Sequence, residues 1–255
     1  MITVNDILDY NETFAPLDTA MGFDNCGVLV GCKNTAVSTT LVCLDITPEA
    51  VNEAKSLGAE LIISHHPVIF GGIKSLSAAD VPYLLAKNGI TALCLHTNLD
   101  LSEKFGVNTC LANALKLENT EYFMDGKNEI CFAVGNLAHP MDDMEFAAYV
   151  KDSLRCDGVR FTKTGKKFKR AAVSSGAGGS EIFNAAEKGA DVLVTGEIKH
   201  NQILDANRLG IGIVDAGHFK TENVVTAPLA ERLSKKFPEI CFKVSKDCTD
   251  RICYL

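Results

Sequence analysis

The feature that most constrains this 255-residue chain is that it spells one local structure twice. Residues 42–66 (VCLDITPEAVNEAKSLGAELIISHH) lie over residues 173–197 (VSSGAGGSEIFNAAEKGADVLVTGE) without a gap. Each stretch reads as an apolar strand, a tight turn, an amphipathic helix closed by Gly-Ala-acid, and a second Leu/Ile/Val strand. Identities are few (Val42/Val173, Ala54/Ala185, Gly58/Gly189, Ala59/Ala190), but the residue classes match along most of the length. The continuations match as well. KNGITALCLHTNLD and NRLGIGIVDAGHFKTE each give a helix end with Gly, an apolar strand and then His-x-x-x-acid. Such alternation calls for an α/β fold. The expected architecture is two similar α/β lobes facing each other across a cleft. The first, 1–125, carries His65, His66, His96 and Asp100; the second, 126–255, carries Glu197, His218 and Glu222, with the chain interleaving at the termini.

Local signals place the elements. Asn5 is expected to cap a first helix. Strands are expected at 27–31 (GVLVG), 41–44, 61–63 and 91–95. Thr47-Pro48-Glu49 opens a helix that Gly58 closes, and a further helix covers 79–87. Between the repeats, 118–170 forms a connector with β-like pieces in EICFAVG and VRFTK, and KTGKKFKR at 163–170 reads as a solvated hairpin turn. GAGGS at 176–180 reads as a tight strand-to-helix turn; as a phosphate cradle it lacks both a Walker lysine and the full GxGxxG pattern.

Composition narrows the function. A net charge of −7 without a long basic tract disfavours a nucleic-acid binder. It leaves room for an anionic small substrate, because bound metals bring positive charge locally. The ten cysteines include no CxxC pair, which argues against a zinc ribbon or a thioredoxin-like site. Cys43 and Cys94 fall in strand-like runs, as buried reduced thiols would. The N-terminus MITVNDILDY lacks the basic and apolar regions of a signal peptide, and no apolar run approaches the ~20 residues of a membrane span. The cytoplasm is the expected compartment.

The chemistry concentrates in four of the six histidines. His65, His66, His96 and His218 stand at or just after strand C-termini beside acids, the edge where open α/β sheets bind ligands. Adjacent His65 and His66 point different ways and can address different ions. A His and an acid four apart share a face if the segment turns helical. Imidazole with carboxylate suits Zn, Mn, Fe or Ni, and Asp100 or Glu222 can bridge two ions ~3.5–4 Å apart. Glu197 aligns with His66 in the repeat and is a candidate for proton transfer. Lys74 and Lys199 follow the equivalent strands and are candidates for substrate phosphates. A nucleophilic Cys94 or Ser64 is the alternative chemistry, although Ser64 lacks a GxSxG elbow.

The strings FDNCGVLVG (23–31), ISHHPVIFGGIKSL (63–76), LHTNLDLSEKFGVNTCLA (95–112), TGEIKHNQILDANRLG (195–210) and DAGHFKTE (215–222) resemble the GTP cyclohydrolase type 2 family. The same family is also called Ngg-interacting-factor-3-like or dinuclear-metal-centre proteins. The motifs stand in the family's order, with Phe23 where Trp is common and Cys26 where a small aliphatic residue is common. The chain is similar to the short form without an extra central domain. The resemblance implies two divalent ions held by His65, His66, Asp100, His218 and Glu222, with His96 as an additional ligand or an acid/base. It also implies a ring-shaped homohexamer and a hydrolase that opens the guanine ring of GTP and releases formate. A metal-dependent phosphoesterase and a non-catalytic metal-binding scaffold are the competing expectations.

Overall fold

The computed structural model describes residues 1–124 and 131–255. Along the chain the first elements are α1 (Val4–Asn11), β1 (Gly27–Val30), β2 (Thr39–Cys43), α2 (Pro48–Leu57), β3 (Leu61–Ser64), α3 (Val81–Asn88), β4 (Thr91–Cys94) and α4 (Thr97–Asp100). Then come α5 (Val107–Ala114), β5 (Glu118–Met124), β6 (Cys131–Met141), α6 (Asp143–Ser153), β7 (Arg160–Phe161), β8 (Phe168–Ser174), α7 (Ile182–Glu187), β9 (Val192–Thr195), α8 (His200–Leu209), β10 (Gly212–Asp215) and α9 (His218–Glu222). The last are α10 (Thr226–Lys236) and β11 (Cys241–Val244). No described helix is long and apolar enough to cross a membrane.

The chain forms two compact units. One comprises Met1–Phe105 with Val225–Thr249, the other Gly106–Val224 with Asp250–Leu255. The division therefore falls at 105/106 rather than at the expected 125/126. The reason is packing. Leu111 and Leu115, on and just after α5, belong to the core of the second unit, while β11 pairs in parallel with β2 of the first.

In the first unit the sheet order is β1-β4-β3-β2-β11. β2, β3 and β4 run parallel, with Leu41 beside Ile62 and Ile62 beside Ala92. These strands are buried on both faces, which is why they read as continuous apolar runs. Leu41, Cys43, Ile62 and Ala92 meet Val51 and Ala54 of α2 and Leu85 of α3 on one face; Leu61, Ile63 and Leu93 are buried on the other. Thr47 caps α2 by accepting from Ala50 N, Pro48 stands at its first position, and Gly58 closes it at φ +66°. The cap of α1 is Thr3 and not Asn5: Thr3 and Asp6 form a reciprocal capping box, whereas the Asn5 amide donates to Asp9 one turn on.

In the second unit the order is β5-β6-β8-β9-β10-β7. β8, β9 and β10 are parallel, with Val173 beside Val194 and Val194 beside Val214. Alternate residues supply two cores: Val173, Val194 and Val214 face Phe146 and Val150 of α6, while Ala172, Leu193 and Ile213 face Ile182 of α7 and Ala206 of α8. Of EICFAVG, Glu129 and Ile130 lie outside the described residues, and the remainder is in β6.

The lysine cluster is not a hairpin turn. β7 pairs with β10 and not with β8, and the last residues of the cluster, Phe168 to Arg170, are already in β8. Phe168 is buried and Arg170 pairs with Glu121. Charge density concealed an apolar anchor within the run. Among the described residues none of the ten cysteines is in a disulfide. Cys43, Cys94, Cys110 and Cys156 are buried as thiols, whereas Cys32, Cys241 and Cys253 are exposed.

Candidate metal centre

β3 is four buried residues, LIIS, running directly into His65-His66-Pro67. Both histidines still follow the pairing with the neighbouring strand: His65 N donates to Cys43 O at 3.2 Å and His66 N to Leu44 O at 2.9 Å. Pro67 has no N–H and cannot continue the ladder. Ser64 Oγ donates to His66 O at 2.8 Å, which occupies its hydroxyl in the turn. His96 lies just past β4 as the N-cap of α4, so that Asp100 comes one turn later and donates its N–H to His96 O.

In each of the four histidines Nδ1 faces an oxygen that can only accept. His65 Nδ1 is 2.9 Å from the Leu95 carbonyl. His66 Nδ1 is 2.7 Å from Asp45 Oδ1, and His96 Nδ1 is 2.8 Å from Asp24 Oδ1. In the second unit His218 Nδ1 is 2.8 Å from Glu197 Oε1. A carbonyl and an ionised carboxylate have no proton to give, so Nδ1 carries the proton and donates. In a neutral imidazole held this way Nε2 is the atom offered to a metal, the arrangement found where a carboxylate or carbonyl orients a metal-ligating imidazole; the Nε2 of His218 also faces Glu222 Oε2 at 3.0 Å.

In the first unit ligand atoms of His65, His66 and His96 all lie within 4.8 Å of one another. The ring centroids of His65–His66 and His65–His96 are 5.1 Å apart, and those of His66–His96 5.4 Å. Asp100 Oδ1 is 3.6 Å from His65 Nε2. That is too long for a hydrogen bond and close to the roughly 3.4 Å that separates two ligands at a tetrahedral angle with ~2.1 Å bonds to one ion.

Burial works against the charge of Asp24, but hydrogen bonds from His96, from the Thr97 hydroxyl and backbone, and from the Cys26 thiol outweigh it. Together they hold its carboxyl well below the usual range. Cys94 is held up by its hydrogen bond with Cys26 and by burial, and its thiol donates to His65 O at 3.1 Å. It is buried behind the cluster with its thiol engaged by a backbone carbonyl.

In the second unit His218 opens α9 after Gly217, whose φ is +85°. His218 Nε2 is 3.0 Å from Glu222 Oε2 across one helical turn, and Glu222 is buried. The glycine-rich turn explains how a carboxylate fits there. Gly176 has φ +56°, and a Cβ on it would collide with the Glu222 carboxylate and approach His218 Nε2 at 3.2 Å. A Cβ on Gly179 would meet Gln202 Oε1 and Glu197 O, both at 2.7 Å. The space above these glycines is filled by protein atoms, so GAGGS is the tight strand-to-helix turn and not a phosphate cradle.

A family model for Duf34/NIF3 (NGG1p interacting factor 3) matches residues 2–250. The chain belongs to this family. Among its relatives, a Clostridium perfringens protein named GTP cyclohydrolase 1 type 2 homolog is 31% identical over 258 residues, covering 97% of each chain. A Campylobacter jejuni protein of the same name is 31% identical, covering 96% of this chain and 97% of its own. The crystal structure of a Staphylococcus aureus hypothetical protein superposes with a TM-score of 0.91 at 30% identity over 99% of both chains. That of a Bacillus cereus protein related to NIF3 gives 0.90 at 26% identity, over 100% of this chain and 99% of its own. The mixed α/β fold with two sheets is thus the fold of NIF3 proteins.

Within this NIF3 chain, His65, His66, His96 and Asp100 gather in one unit, and His218, Glu222 and Glu197 in the other. Glu197 is the acceptor for His218. Lys74 is exposed on the loop after Pro67, and Lys199 is exposed at the start of α8, its N–H donating to Gln202. The two His-x-x-x-acid elements are not in the same register. His96 stands two positions beyond the end of β4, His218 three beyond the end of β10. Sequence reading missed Asp24 and Asp45. Asp45 carried a usable signal, since it follows β2 just as the histidines follow β3. Asp24 sits in an irregular segment and carried none.

Proposed function

We propose that this NIF3-family chain is a dinuclear-metal hydrolase, with His65, His66, Asp100, His218 and Glu222 as its ligands. The observation that carries this reading is the uniform presentation of Nε2 by four imidazoles, each with Nδ1 held by an acceptor. The donor set, three imidazoles with the buried Glu222 and the partly buried Asp100, fits Zn, Mn, Fe or Ni. Such ions, when bound, supply Lewis acidity that polarises an electrophile and acidifies water near neutral pH.

The chain's own residues do the remainder. Asp24, Asp45, Glu197 and the Leu95 carbonyl orient the imidazoles. His96 serves as a further ligand or carries protons at Nε2, and Lys74 and Lys199 receive anionic groups. The relatives' name supports GTP as substrate: one water adds at C8 of the guanine and the C8–N9 bond breaks to open the ring, and a second water cleaves the resulting formamide, releasing formate and leaving the amine. A ring-shaped homohexamer is part of the same proposal, and light scattering at the mass of six chains tests it.

Elemental analysis of the purified protein should give close to two metal equivalents per chain, lowered by His65→Ala and by Glu222→Ala. Unchanged occupancy in both variants would sink the ligand assignment. Metal-loaded protein incubated with a nucleotide panel then separates the chemistries. Formate with a ring-opened product supports the cyclohydrolase, and inorganic phosphate a phosphoesterase. No turnover at all favours a scaffold.

A further inference from the structure

Single exposed apolar side chains are ordinary on a protein surface. Phe23 and Phe70 are not single. Each ring is more than half exposed, at 63% and 57%, yet their centroids are 6.3 Å apart with the planes tilted by 35°. Phe70 also stands 6.3 Å from the His96 imidazole, edge to face. Leaving two such rings together in solvent beside a histidine cluster forgoes the stability that their burial would give. The arrangement is also built. Asn25 Nδ2 donates to Ile69 O at 2.6 Å, which ties the segment bearing Phe23 to the one bearing Phe70.

The same loop borders an open surface concavity of about 600 Å³ lined by Phe70, Gly71, Gly72, Ile73, Lys74 and Asp80 among others. That lies within the roughly 300–1,000 Å³ of small-molecule sites. Gly71 and Gly72 have open space where a Cβ would project, so a ligand can approach the backbone. Lys74 adds one cation at the cavity wall. The Phe70 face at its edge, paired with Phe23, an open backbone, and Lys74 at the wall, with Asp80 also in the lining, suit a flat ring whose anionic tail lies towards Lys74.

We propose that Phe23 and Phe70 form an aromatic platform that stacks the planar heteroaromatic ring of a nucleotide-like substrate beside the histidine cluster, with Lys74 meeting its phosphates. The inference rests on the hydrolase reading for its catalytic meaning, but the binding stands or falls separately. A ring stacked about 3.5 Å above Phe70 lies within about 10 Å of the His96 imidazole, so the platform anchors the ligand next to the histidine cluster.

The test is calorimetric titration of metal-loaded protein with GTP, ATP, UTP and, as the probe without a base, ribose 5-triphosphate. Wild type is compared with Phe70→Ala, Phe23→Ala and Phe70→Tyr. Stacking of one base contributes about 5- to 150-fold in affinity. Phe70→Ala should therefore weaken at least one base-bearing nucleotide about tenfold, Phe70→Tyr should restore it, and ribose 5-triphosphate should bind all variants alike. Metal content should not change. Equal weakening of ribose 5-triphosphate, or no binding of any nucleotide to wild type, overturns the platform. So does an altered oligomer mass in Phe70→Ala with nucleotide affinity intact, which would make the patch a self-association surface. Phe-dependent binding without turnover keeps the platform and discards the hydrolase; turnover with unchanged KM in the alanine variants does the reverse.

Discussion

Gly176→Ala tests whether the glycine-rich turn exists to admit the Glu222 carboxylate. Gly176 and Gly189 both sit at positive φ, +56° and +74°. A non-glycine residue there costs roughly 1–2 kcal/mol for the left-handed backbone alone. A Cβ at Gly189 meets nothing within 4 Å, whereas at Gly176 it displaces the Glu222 carboxylate and crowds His218 Nε2. Moving a buried carboxylate off its partners adds about 1–3 kcal/mol. A chain of this size loses about 2–4 °C of Tm per kcal/mol. In chelator-treated protein Gly189→Ala should thus lower Tm by about 2–8 °C, and Gly176→Ala by at least about 2 °C more. After reloading, Gly176→Ala should also lose tenfold or more in metal affinity, as displaced ligand geometry does, while Gly189→Ala keeps it. Differential scanning fluorimetry and chelator competition read the two effects. If the two variants match in both, Gly176 is an ordinary turn glycine and the reasoning fails.

Other expectations follow from the same geometry. Asp24→Asn leaves the His96 ring without its carboxylate acceptor and should cut metal affinity about 10- to 100-fold, read by competition with a chromophoric chelator. Phe168→Ala should cost about 3–5 kcal/mol in urea unfolding, whereas Lys167→Ala, one residue earlier and exposed, should stay within about 0.5 kcal/mol. Glu60 is opposed by burial, but hydrogen bonds from Thr39 N, Ser38 N and the Ser38 hydroxyl hold its carboxyl below the ordinary value. Its stabilisation is complete above the unfolded value of about 4.3 and is lost as pH falls through the folded one. Glu60→Gln should therefore destabilise at pH 7 and converge on wild type in acid; equal destabilisation at both ends of the range would refute the assignment. Burial pushes the Cys110 thiol up to about 12, so brief alkylation at pH 8 followed by mass spectrometry should mark Cys32, Cys241 and Cys253 and spare Cys43, Cys94 and Cys110.

What could be read from the sequence was what depends on near neighbours. Pro48 and Gly58 bound α2 because φ preferences act locally, and LIIS and VLVT are strands because both faces of a parallel strand are apolar. The unit boundary was not legible, since the return of β11 to β2 spans some two hundred residues and leaves no local trace. KTGKKFKR misled because seven polar or flexible residues outweigh one phenylalanine in any local average, while the fold is decided by where that phenylalanine is buried. The histidines were visible because their residue type is rare and strand ends are identifiable. Of their orienting oxygens only Glu197 was singled out, for proton transfer and not for holding His218; the Leu95 carbonyl and Asp24 leave no local mark, and Asp45 comes from another strand end.

Those oxygens carry the stronger argument about the centre. Three histidines close together can be a structural cluster, but a structural cluster has no reason to engage the same ring nitrogen in every member. Here His66, His96 and His218 are held by carboxylates and His65 by a neutral carbonyl. A carboxylate acceptor raises the basicity of its imidazole more than a carbonyl does, so the four Nε2 atoms are unequal donors by construction. The register offset reinforces the inequality: Asp100 approaches His65 from a separate helix, α4, whereas Glu222 approaches the His218 of its own helix. Ions held by such a set would differ in affinity, and stepwise removal by a chelator should release them in two phases. A single phase would mean that the second-sphere differences do not reach the ions, and the case from the imidazole partners would lose its force.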